Sequence, residues 1–205
     1  LLDSKMMTPM DVAIDNGCFE IANIFHENLS NHKTSLAKVY LEHKNAIYPL
    51  GGYKMNPLHW AASKGCIETV KLLLEHQSDI NQLDENKKTP LHYAASNGQT
   101  EATKFLLEHK AVIDSVDNKH ITPLHYAAEG NHAETLKVLL DFHADTNQID
   151  KNKKTPLHYA AQGNNAEIVK ALLDHGAAVS LLDSKMMTPM DVAIDNGCFE
   201  IANIF

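Results

Sequence analysis

The prolines at Pro57, Pro90, Pro123, Pro156 and Pro189 stand 33 residues apart. The heptapeptide TPLHYAA is written in full from Thr89, Thr122 and Thr155, NPLHWAA opens at Asn56, and TPMDVAI opens at Thr188. A fixed period of this length calls for a stack of short, similar units, each covering the apolar face of the next. A globule around one central core would not need it.

The local chemistry of one unit can be read from residues 89–110. Proline at the first helical position gives up no hydrogen bond and presets its backbone angle, and the threonine before it can cap. The spacing predicts a short first helix from Pro90 to Ser96, with two alanines that allow close approach of a neighbour. Asn97-Gly98 then makes a turn, because glycine accepts the left-handed conformation that ends a helix. A second helix from Thr100 to His109 gathers Ala102, Thr103, Leu106 and Leu107 on one face, with Glu101, Lys104 and Glu108 on the other. A polar link follows.

This period and the TPLHYAA motif resemble those of the ankyrin repeat, over residues 56–205. The resemblance implies an all-α solenoid of stacked helix-turn-helix units whose links fold as β-hairpin fingers. It also implies a non-catalytic module, a scaffold or adaptor, that binds another protein in a concave groove between fingers and first helices. The family's fingertip glycine is replaced here by Lys87, His120, Lys153 and Met186. A non-glycine residue at positive φ costs on the order of 1 kcal/mol. Between the helices, Asn131 and Asn164 stand where Gly65 and Gly98 do, the next best choice for that angle.

Repeats are expected at 56–88, 89–121, 122–154 and 155–187, with a further, truncated one at 188–205. Upstream the rhythm breaks, since Pro9 and Pro57 are 48 residues apart. Residues 1–33 read as an end-type repeat, and residues 34–55 as a lone second helix and a finger that open a new array. Residues 1–25 are identical, letter for letter, to residues 181–205. That identity suggests head-to-tail self-association, in which the first segment of one molecule covers the last repeat of another. The apolar Ile201, Ile204 and Phe205 read as an open, cut end that would seek such cover.

Composition restricts the rest. With 44% hydrophobic and 21% charged residues, the chain has the make-up of a folded protein. No apolar run is long enough for membrane insertion. All 18 basic residues are lysines and the net charge is −8, which argues against nucleic acid, where arginine forks carry most base contacts. Cys18, Cys66 and Cys198 follow the turn at equivalent places and read as reduced thiols of an intracellular, cytoplasmic protein.

Thirteen histidines invite a metal or a catalytic reading. His59, His92, His125 and His158 belong to the repeated motif, where the resemblance implies a bond to the threonine hydroxyl and the neighbouring finger. His43, His76, His109 and His175 sit at the last turn of second helices. Members of each class recur at the repeat period or a multiple of it, so they spread along the stack and do not converge as zinc ligands must. No phosphate loop or zinc-protease signature occurs. The expectation is therefore no enzyme, no metal and no cofactor.

Trp60, Tyr93, Tyr126 and Tyr159 stand one per repeat, immediately after the motif histidine. By the resemblance they border the groove, and they can be read either as binding anchors or as sideways packing. Groove contact positions map onto Leu83, Glu85, Lys88, Ser96 and Asn97, then Val116, Ile121 and Glu129, then Ile149, Lys151, Lys154 and Gln162. Lysines and apolar residues on the fingers favour a partner segment that is acidic and apolar. Two other functions remain open: a self-associating structural array, and a targeting segment of a larger enzyme or effector.

Overall fold

The computed structural model describes residues 48–50, 53–55 and 56–205, the first two groups by their backbone alone. The expected end-type repeat at 1–33, its copy of residues 181–205 and the lone helix at 34–44 lie outside the described residues.

Two short strands come first, β1 (Tyr48–Leu50) and β2 (Tyr53–Met55), paired antiparallel with Leu50 opposite Tyr53. First helices and second helices then alternate. The first helices are α1 (Pro57–Lys64), α3 (Pro90–Ser96), α5 (Pro123–Glu129), α7 (Pro156–Gln162) and α9 (Pro189–Asp195). The second helices are α2 (Ile67–Glu75), α4 (Thr100–Glu108), α6 (Ala133–Asp141), α8 (Ala166–Asp174) and α10 (Phe199–Ala202).

Each first helix begins at a proline, as its missing N–H predicts. Each packs on the next first helix, and each second helix on the next second helix. The alanine pairs Ala94-Ala95, Ala127-Ala128 and Ala160-Ala161 are buried in the first-helix stack, where their small side chains let the backbones approach. Leu73, Leu106, Leu139 and Leu172 fill the layer between the two stacks. In α4 the buried residues are Ala102, Thr103, Leu106 and Leu107, the predicted face, while Glu101, Lys104 and Glu108 are exposed.

The turns follow the sequence as well. Gly65 and Gly98 lie at φ 69° and 65°, and Asn131 and Asn164 take the same left-handed angle at 63° and 55°. A second left-handed position ends each full second helix, at Gln77, Lys110, His143 and Gly176. There the next amide reaches back six residues' span to a helix carbonyl, as from Ala111 N–H to Leu106 O at 2.9 Å. His76, His109 and His175 stand one residue past their helices, and each Nδ1 is within 2.9 Å of the carbonyl four residues earlier.

Two expectations are corrected. The links after α2, α4, α6 and α8 hold no strand. Each closes as a tight turn with two backbone bonds, as in Asp84 N–H to Lys88 O and Lys87 N–H to Asp84 O, both at 3.0 Å. The reason is that other groups take the remaining amides: an aspartate in the same link takes two, and the neighbouring link takes another. Asn118 N–H donates to Asn86 O, Lys151 N–H to Lys119 O and Ser184 N–H to Asn152 O. The second correction concerns sulfur. Cys198 is a free, buried thiol, but Cys66 is disulfide-bonded, which removes one ground for placing the protein inside the cell.

Lys87, His120, Lys153 and Met186 all lie at positive φ, between 59° and 62°. Lys153 is exposed, so replacing it with glycine removes only the Cβ clash at that angle. Lys153→Gly should leave the denaturant midpoint unchanged or raise stability by up to about 1 kcal/mol. A clear loss of stability would mean that the lysine side chain contributes more than its backbone angle costs.

Candidate functional site: the face of links and first helices

One arrangement is built three times along the stack. The aspartate that opens each link turns inward and holds it closed. Asp84 Oδ1 accepts the N–H groups of Asn86 and Lys88 at 2.8 and 2.7 Å, and Oδ2 accepts the hydroxyl of Tyr93 at 2.8 Å. Asp117 serves Lys119, Ile121 and Tyr126 in the same way, and Asp150 serves Asn152, Lys154 and Tyr159. Asp183 binds the amides of Lys185 and Met187, but the residue nine positions on is Val192, which has no hydroxyl to offer.

These bonds set the charge states. Burial disfavours the Asp117 carboxylate, but hydrogen bonds from Ile121, Tyr126 and Lys119 outweigh it and hold the group below its ordinary value. Burial, and then the bond to an aspartate, push the phenols of Tyr93, Tyr126 and Tyr159 well above theirs, so they stay protonated donors.

The motif histidines tie each first helix to the next link. His92 Nδ1 accepts the Thr89 N–H at 3.0 Å, and Nε2 lies 3.0 Å from Ile121 O. With Nδ1 accepting, the proton belongs on Nε2, which donates to that carbonyl. His125 and His158 repeat this with Lys154 O and Met187 O. Burial lowers the pKa of all four motif histidines, that of His92 to about 4. Each tyrosine ring stands edge-on to the histidine of the preceding repeat, with His125 and Tyr159 at 5.7 Å and 90°.

A family model for ankyrin repeats, three copies long, matches residues 24–84, 58–150 and 124–205. The chain belongs to the ankyrin-repeat family. Such repeats are generally protein–protein interaction modules and are typically non-catalytic. The chain has no match among curated proteins. Among the described residues of this ankyrin-repeat chain, no three His, Cys, Asp or Glu side chains gather as metal ligands would. Nor, among them, is any helix long and apolar enough to cross a membrane.

The groove positions taken from the ankyrin pattern fall into three groups. Trp60 and Ile121 are buried, at 8% and 7% exposure, and belong to the packing of the stack. Tyr93, Tyr126 and Tyr159 are half-buried with their hydroxyls occupied. Lys88 Nζ lies over the rings of Tyr93 and Tyr126 at 5.6 and 4.4 Å, and Lys154 Nζ over Tyr159 at 5.5 Å. Ser96 and Asn97 bond back to Tyr93 O, while Glu129 and Gln162 are exposed.

Leu83, Val116 and Ile149 form the third group, and the structure adds Leu182, which the sequence mapping passed over. These four are exposed by 51, 40, 47 and 40%, each directly before an inward-turned aspartate. The 33-residue spacing of Asp84, Asp117, Asp150 and Asp183 is the signal that could have found the fourth.

Proposed function

We propose that this ankyrin-repeat chain is a non-catalytic scaffold or adaptor that binds a partner protein across its links and first helices. What carries the reading is the aliphatic row Leu83, Val116, Ile149 and Leu182, an apolar line left in water on a rigid, hydrogen-bonded support. An exposed apolar row with a polar rim is the ordinary form of a protein-binding surface. Lys88, Lys154, Ser96, Asn97, Glu129 and Gln162 form the rim, and the tyrosine rings form its floor.

The test separates contact from folding. Val116→Asp with Ile149→Asp alters only exposed positions, so stability should stay within about 0.5 kcal/mol of the parent. Proteins retained from native extract by the parent chain should be lost by the double variant, with the circular dichroism spectrum unchanged. Equal retention by both would move the binding surface to the second helices. Tyrosine substitutions are a poorer test, because each also strips an aspartate of its partner.

A further inference from the structure

The occupant of this face can be specified further by matching periods, granted that the face binds a protein at all. First helices stack directly on one another, and helices pack about 8–10 Å apart, so the four aliphatic rungs recur at about that interval. A helix places equivalent residues every seven positions, about 10.5 Å along its axis. An extended strand returns to one face every second residue, about 6.7 Å, or every fourth, about 13 Å. Of these repeats the helix's lies nearest the upper end of the interval of about 8–10 Å, so with rungs about 10 Å apart a helix stays nearest to step. The run from Leu83 to Leu182 is then about 24–30 Å, the length of a helix of about 16–20 residues.

Charge narrows the partner again. Among the described residues, ion pairs join Lys71 to Glu68, and Lys137 to Glu134 and Glu167, all on second helices. The link lysines Lys87, Lys88, Lys119, Lys151, Lys153, Lys154 and Lys185 enter none of these pairs. The aspartates beside them, Asp84, Asp117, Asp150 and Asp183, are turned inward onto amides and, in three cases, a tyrosine hydroxyl. Among the groove positions the exposed carboxylates are Glu85 and Glu129, so the excess of ammonium groups is greatest at Lys151, Lys153 and Lys154.

The geometry points to an amphipathic helix of a partner protein, apolar at every seventh residue and flanked by Asp or Glu, lying along Leu83, Val116, Ile149 and Leu182. Its apolar stripe covers the aliphatic rungs and the tyrosine rings. Its acidic flank meets the link lysines, which speeds encounter and sets orientation more than it adds affinity.

A displayed library of random peptides of about 20 residues, panned on the full chain, reads the pattern without prior choice of partner. Enriched peptides should carry apolar residues seven apart with acidic flanks and gain helicity on binding. By fluorescence anisotropy they should bind the Val116→Asp, Ile149→Asp chain at least about tenfold more weakly. Their affinity should also fall as salt rises. A labelled DNA duplex titrated at the same salt should not bind. Enriched peptides with alternating or basic patterns that still depend on Val116 and Ile149 would overturn the helix and leave protein binding at this face in place. Peptides indifferent to the double variant would overturn both. No enrichment, or tight duplex binding lost with Lys151→Glu, would overturn the acidic helix.

Discussion

Acidification from pH 7 to pH 4 should remove several kcal/mol of stability, the first part of it above about pH 5, before most carboxylates titrate. The four motif histidines are buried and held neutral, so each folded pKa lies below the ordinary 6.5. The unfolded chain takes up protons near pH 6.5, whereas His92 in the folded chain resists until about pH 4. Between those values the unfolded state binds more protons, so stability is complete above pH 6.5 and is lost as pH falls. At about 1.4 kcal/mol per pH unit, His92 alone accounts for about 3 kcal/mol, and the other three act in the same direction. Urea midpoints measured at pH 7.5, 5.5 and 4 should therefore decline steeply below about pH 6.5. A flat midpoint down to pH 4.5 would show that these imidazoles protonate freely and are not held neutral between the repeats.

The second large effect is expected at Asp150. One carboxylate accepts from Asn152, Lys154 and Tyr159, and it is almost fully buried. Asp150→Ala leaves those three donors without it and should cost about 2–4 kcal/mol. Asp183 is an internal control, because it holds two amides and no tyrosine. Asp183→Ala should cost less, and Asp150→Asn, which keeps an acceptor for the two amides, should also be milder. Denaturant unfolding of the three variants beside Tyr159→Phe gives the comparison. Equal losses for Asp150→Ala and Asp183→Ala would mean that the tyrosine bond contributes nothing to stability.

Both effects depend on groups from different places in the chain. The histidine of one repeat reaches the link that opens the next, 29 residues on, and the aspartate reaches a tyrosine nine residues on. The repeated motif made the histidines visible as a class, but only packing could say that the aspartates hold the tyrosine hydroxyls. That finding changes how the aromatic row is read. Its rings remain available as a floor, while the aliphatic row beside it is what stands in water.

The sequence by itself determined the repeat, the helices and the turns. Proline at the first turn, a threonine or asparagine cap, apolar residues three and four apart, and glycine or asparagine at the left-handed position all act over a few residues. Copying them every 33 residues makes each repeat confirm the others. The tertiary structure alone decided which groove positions stay exposed, since Trp60 and Ile121 are covered by packing while Leu83, Val116, Ile149 and Leu182 are not. It also decided that the links after the second helices close as turns without strands, because the aspartate and the neighbouring link take up the amides a ladder would need. Residue type and spacing carry local conformation, but competition for a hydrogen bond or for burial is settled only where separate repeats meet.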